Sequence, residues 1–112
     1  MPTAKTTPLG EFELLVVLST IALGDTAYPV SIAADIEKRT GRKANRTTVL
    51  ITLERLEDKD LVTSRYGDPT PERGGRAKRF FSAKPRGIEA VRQSIERIQT
   101  MSAGLNDVLR HR

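Results

Sequence analysis

The residues best suited to chemistry are cations and short polar side chains gathered at one point of the chain: Arg42, Lys43, Asn45, Arg46, Thr47 and Thr48. Gathered at one point, side chains of these types are suited to holding an anion. Asn45 can cap a helix by accepting from a freed backbone N–H. The entrance of a helix already presents unpaired N–H groups and the positive end of its dipole, which favours phosphate. Arg46 strengthens that bias, and Arg42 and Lys43 can grip phosphates on either side. The later part of the same stretch, Asn45 to Lys59, carries Glu54, Glu57 and Asp58, so a polyanion would be met by its first half. Catalysis has no comparable support. His111 is the sole histidine and lies next to the C-terminus, there is no cysteine, and Gly74-Gly75 lacks the Lys-Ser/Thr of a phosphate-binding loop. No catalytic residue, cofactor or metal is expected.

The distribution of charge supports the same partner. Lys and Arg outnumber Asp and Glu by 19 to 14, a net charge of +5 and a pI near 10.0, which points to nucleic acid or an acidic surface. Two stretches free of acids hold 11 of the 19 cations. Between Glu37 and Glu54 stand Lys38, Arg39, Arg42, Lys43 and Arg46; between Glu72 and Glu89 stand Arg73, Arg76, Lys78, Arg79, Lys84 and Arg86. A single charge run is ordinarily a solvated face. Two runs on elements that a helix-turn-helix sets side by side argue for a binding surface.

These residues need elements to position them. Apolar residues are so dense from Glu11 to Leu23 that the first helix is expected to be buried on most sides. It reads as a core helix that a second subunit could also pack against. Gly24-Asp25 ends it. Pro29 can occupy the first turn of a second helix, in which Ile32 and Ile36 share a face, and Gly41 stands where a helix commonly stops. In the third helix Val49, Leu53 and Leu56 form the core stripe with Leu50 and Ile51 beside them, leaving Arg46, Thr47, Thr52 and Arg55 for the outer faces. A hairpin follows. One strand runs to Tyr66, the other from Ala77 to Ala83, and between them Gly67 to Gly75 is rich in glycine and proline. Phe80 and Phe81 fall on opposite faces, so one enters the core and the other needs a second surface, for which the last helix is the candidate. Pro85 opens that helix. Ile88, Val91, Ile95 and Ile98 follow at spacings of 3, 4 and 3, a coiled-coil seam that Met101, Leu105 and Val108 extend past Gly104.

With these elements placed, the chain resembles PadR-type winged-helix transcriptional regulators from about Leu9 to Ile98. The resemblance rests on LGEFELLVVLSTIALGDTAY at 9–28, IEKRTGRKANRTTVLITLERLEDKDLV at 36–62 and GDPTPERGGRAKRFFSAKPRG at 67–87. The last, a basic wing followed by aromatics and Pro-x-Gly, is the most specific. The resemblance implies a dimeric DNA-binding regulator, commonly a repressor, that pairs through its N- and C-terminal helices and leaves room for a small-molecule effector. Three positions depart from the family's pattern: Leu50 stands where a tyrosine is usual, Pro29 replaces a glycine, and Lys84 replaces a capping threonine.

The expected fold class is mainly α with a small β-hairpin, a winged helix-turn-helix followed by a C-terminal dimerisation helix. Residues 1–8 read as a disordered tail, 9–84 as the winged helix and 85–112 as the dimerisation helix. Arg42, Lys43, Asn45, Arg46, Thr47, Thr48, Arg73, Arg76, Lys78 and Arg79 are the expected DNA contacts; Phe12, Leu15, Ile88, Val91, Ile95, Ile98, Met101 and Leu105 are the expected dimer contacts. The partners would be double-stranded DNA bearing an inverted repeat and a second copy of the chain. The longest apolar run, Leu14 to Leu18, is too short to span a bilayer, and the N-terminus has no secretory h-region, so a cytoplasmic protein is expected. The competing reading is a winged-helix protein-interaction module that does not bind operator DNA.

Overall fold

The computed structural model describes residues 8–68 and 77–110. Helix α1, Glu11–Leu23, opens where the Gly10 amide donates to the Glu13 carboxylate at 3.0 Å. Burial alone would raise the Glu13 pKa. The Gly10 and Lys59 hydrogen bonds and the nearby Lys59 and Arg55 charges outweigh it and hold the carboxyl below its ordinary range. Leu14, Val16 and Val17 of α1 enter the core together with Ser19 and Thr20. The two hydroxyls are satisfied: Thr20 Oγ1 donates to the Val16 carbonyl at 2.7 Å, and Ser19 Oγ donates to Asp35 Oδ2 at 2.7 Å, joining α1 to the next helix.

A 3-10 turn, Gly24–Thr26, leads to α2, Pro29–Thr40, with the proline in its first turn as its fixed φ and missing N–H favour. Helix α2 stops at Gly41, whose φ of 78° is left-handed and whose amide donates to the Glu37 carbonyl at 2.8 Å. Four residues later Asn45 caps α3, Arg46–Asp58, its Oδ1 accepting from the Thr48 amide at 2.8 Å. Ile32 and Ile36 of α2 and Val49, Leu53 and Leu56 of α3 meet the α1 residues in one core.

Strands β1, Val62–Tyr66, and β2, Arg79–Ala83, pair antiparallel with Val62 opposite Ala83 and Arg65 opposite Phe80. The Phe81 amide donates to the Ala27 carbonyl at 2.9 Å, so the segment ahead of α2 lies along the free edge of β2. This contact corrects one expectation. Phe81 is buried in the core, but Phe80 on the other face meets Tyr28, not the last helix, with ring centroids 5.6 Å apart, edge to face. Tyr28 is carried there by the same Ala27 connection. The Arg65 guanidinium lies 4.8 Å from the Phe80 ring and closes its outer side. Most of the expected hairpin tip, residues 69–76, lies outside the described residues, as do residues 1–7 of the expected N-terminal tail.

Helix α4, Pro85–Ser102, follows β2 without a loop. Lys84 takes the position before it with an extended backbone and no side-chain cap, and its ammonium turns to Asp60. That hydrogen bond and the Lys84 charge hold the Asp60 carboxyl below its ordinary range. The expected single helix to the C-terminus is broken: α4 ends at Ser102, Gly104 takes a left-handed φ of 82°, and α5, Asn106–Arg110, restarts the helix. Glycine reaches that conformation without the clash of a Cβ. The seam on α4 is divided as well. Val91 is only 5% exposed and packs into the chain's own core with Ala90, and Ile95 lies partly against it, whereas Ile88 and Ile98 face outward.

Candidate nucleic-acid interface

The three-helix layer turns α3 so that one side is spent on packing and the other is open. Val49, Thr52, Leu53 and Leu56 are its buried side, at the i, i+3, i+4, i+7 spacing of a single stripe. Thr52, expected on the outer face for its polarity, is 5% exposed and belongs to this stripe. Its place is set by the helical period, which puts it one turn from Val49. Leu50 is half-buried and packs on the edge of the core. Asn45, Arg46, Thr47 and Thr48 are all exposed, so the capped entrance of the helix, with the freed amides of its first turn, stands open.

The cations around this entrance differ in what holds them. Arg39 pairs with Asp35 at 3.3 Å; Arg42 pairs with Glu11 at 3.1 Å and lies 4.9 Å from the Phe12 ring, which fixes the turn between α2 and α3 to the start of α1. Lys38, Lys43 and Arg46 form no ion pair with any described residue. Two full charges, Lys43 and Arg46, therefore flank the Asn45 cap, in the field of the helix dipole.

The second basic stretch is free of acids in sequence but not in space. Arg79 points from β2 onto α3, where Nη1 donates to Glu54 at 2.9 Å, Nη2 donates to Glu57 at 2.8 Å and Nε donates to Ser64 Oγ at 3.3 Å. Its guanidinium also lies 5.0 Å from the Phe81 ring. Burial works against the charge of Arg79; the Glu54 hydrogen bond and the neighbouring negative groups outweigh it and raise its pKa above the ordinary range. Arg79 thus clamps the wing to α3 and at the same time neutralises Glu54 and Glu57 on the later half of that helix, while Asp58 stays exposed. Lys78, on the other face, lies 4.5 Å from the Tyr28 ring, and Lys84 and Arg86 both reach Asp60. Arg73 and Arg76 lie outside the described residues.

The position of Arg79 changes what its removal should do. Arg79→Ala is expected to lower stability by about 1–2 kcal/mol, the loss of a partly buried, charge-assisted network discounted for solvent. Chemical denaturation would measure it. Arg79→Lys should recover only part of the loss, since an ammonium cannot fork to two carboxylates and a hydroxyl in one plane. An unchanged denaturation midpoint for Arg79→Ala would show that the clamp adds nothing to the fold.

Among the described residues no cluster of His, Asp or Glu could hold a metal ion, and no helix is long and apolar enough to cross a membrane. Neither a family model nor a curated protein matches the sequence. Solved structures do match over most of the chain. A PadR-family transcriptional regulator from Eggerthella lenta superposes with a TM-score of 0.69 at 17% identity, covering 90% of this chain and 83% of its own. A PadR-family transcription regulator from Clostridium difficile gives 0.70 at 21% identity, covering 89% and 99%. A transcriptional regulator from Clostridium thermocellum gives 0.68 at 22% identity, covering 85% and 89%. The element order, the antiparallel wing packed on α3 and these superpositions agree: the chain has the winged helix-turn-helix fold of PadR-family transcriptional regulators.

Proposed function

We propose that this protein is a DNA-binding transcriptional regulator that inserts the entrance of α3 into the major groove. One observation carries the reading. The first turn of α3 is capped, exposed and flanked by Lys43 and Arg46, neither of them paired with a described acid, while Glu54 and Glu57 farther along are drawn toward Arg79. A helix about 20 Å long fits the groove as a cylinder, and its charge asymmetry orients it with the basic end inward. In this reading Arg46 and Thr47 face bases, and Lys43 and the first-turn amides that the Asn45 cap leaves free hold phosphates. Arg42 sets the turn and contributes a charge already shared with Glu11.

The reading extends to a homodimer acting as a repressor by occupying its operator. Ile98 and Met101 at the end of α4, Leu105 in the turn after it, and Val108 and Leu109 on α5 are exposed, with Met101 79% exposed. Apolar side chains this closely spaced mark an interaction surface, and a second copy would cover them; Phe12 and Leu15 of α1 pack against the core instead, Phe12 beside Arg42 at the turn between α2 and α3. Such a dimer presents two copies of α3 and reads an inverted repeat whose half-sites lie one helical turn, or a multiple of it, apart. This reading places the protein in the cytoplasm, with the DNA. Selection of bound duplexes from a random pool tests it. An enriched inverted repeat is the expected result, and a pool that never enriches would leave the basic face to an acidic protein partner.

A further inference from the structure

Ile51 is the one large apolar side chain of α3 exposed to solvent, at 50%. At about 100° per residue it lies opposite the buried stripe of Val49, Leu53 and Leu56. Thr47 stands one turn before it and Arg55 one turn after, both exposed. An isolated apolar residue on a surface needs no explanation in itself. Here the surface is the middle of the helix side that faces away from the core, bounded by a hydroxyl and a cation. Leu50, next to it, is taken up by the edge of the core, so the apolar character of the outward face comes from Ile51.

An isoleucine cannot exchange hydrogen bonds with a base edge. The major groove offers one apolar group, the 5-methyl of thymine, and an aliphatic side chain reads it by excluding water from both surfaces. We infer that Ile51 is a specificity-determining residue that selects an A·T pair in each half-site through the thymine methyl. The inference rests on the proposed DNA-binding reading and adds the base and the group on it that are read. Thr47, one turn closer to the entrance, and Arg55, one turn farther, frame that contact along the groove.

The test uses the full-length protein and its best selected duplex. Each thymine is replaced in turn by deoxyuridine, which lacks only the methyl group, and affinity is measured by fluorescence anisotropy. The wild-type protein should lose affinity about fourfold at one A·T pair per half-site, the factor that follows from returning one methyl group to water, and should be indifferent at the other pairs. Ile51→Ala should bind the thymine and deoxyuridine duplexes equally at that pair. Ile51 is exposed and alanine favours helix, so circular dichroism should show the variant folded as the wild type is. Wild-type binding that ignores every thymine methyl overturns the assignment of Ile51 alone. So does an Ile51→Ala variant that keeps the same discrimination. Failure of the wild-type protein to bind any duplex overturns the DNA-binding reading and this inference with it.

Discussion

Replacing Gly87 by alanine is expected to destabilise the fold by about 3 kcal/mol, the upper part of the range for forcing a methyl group into a packed site. A Cβ on Gly87 would stand 2.1 Å from the Leu61 carbonyl oxygen and 3.1 Å from its carbon. Neither side can yield cheaply. The Leu61 carbonyl accepts the Lys84 amide at 2.9 Å, beside the Val62–Ala83 pair where the hairpin passes into α4. Moving α4 away instead would draw Ala90 and Val91 out of the core. The contact gives a physical reason for the Pro-x-Gly after β2: Pro85 opens the helix and Gly87 lets its first turn press on Leu61, just ahead of β1. A small domain has about 5–15 kcal/mol in all, so the loss would be plain in a denaturation curve followed by circular dichroism. A midpoint equal to that of the wild type would mean that this joint is looser than its geometry.

Arg46→Ala is expected to weaken binding to the selected duplex by about tenfold to a hundredfold, the range for losing one good contact to a base edge. Stability should change little, because Arg46 is exposed and forms no ion pair with a described residue. The same variant should bind nonspecific DNA nearly as well as the wild type does, apart from the loss of one charge. Anisotropy on matched and mismatched duplexes at one salt concentration separates the two effects. Equal weakening on both would make Arg46 a phosphate contact and move base reading farther along α3.

Much of the scaffold is legible in the sequence because it is set by local backbone chemistry. Asn45 before a run of apolar spacing marks a capped helix start, Gly41 marks a stop, and Pro29 marks a first turn. Each of these residues acts within a few positions of itself. What the sequence hides is set by neighbours distant along the chain. The run from Arg73 to Arg86 looks uniformly basic, yet Glu54 and Glu57 come from α3 to meet Arg79, and Asp60 comes from the end of that helix to meet Lys84. Phe80 needed a surface, and the hydrogen bond between Phe81 and Ala27 decided that Tyr28 would provide it.

Polarity is a poor guide to two residues of α3. Thr52 looks outward-facing because it has a hydroxyl, and Ile51 looks like core because it has none; the helical period sends each to the opposite side. The spacing from Val49 contained that answer. The break at Gly104 is harder, since glycine in a helix lowers stability without dictating a stop, and its left-handed φ appears only in three dimensions.

Whether the entrance of α3 meets the phosphates and bases of duplex DNA is decided by the salt dependence of wild-type binding to its selected duplex. If Lys43 and Arg46 of each of two copies neutralise phosphates or release counterions, the logarithm of the affinity should fall linearly with the logarithm of salt concentration. At about −0.9 per phosphate the slope should be roughly −2 from the two copies of Lys43 alone, and roughly −3.6 if both copies of Arg46 also displace counterions. A slope near zero, or no binding at low salt, would mean that the entrance of α3 does not hold phosphates.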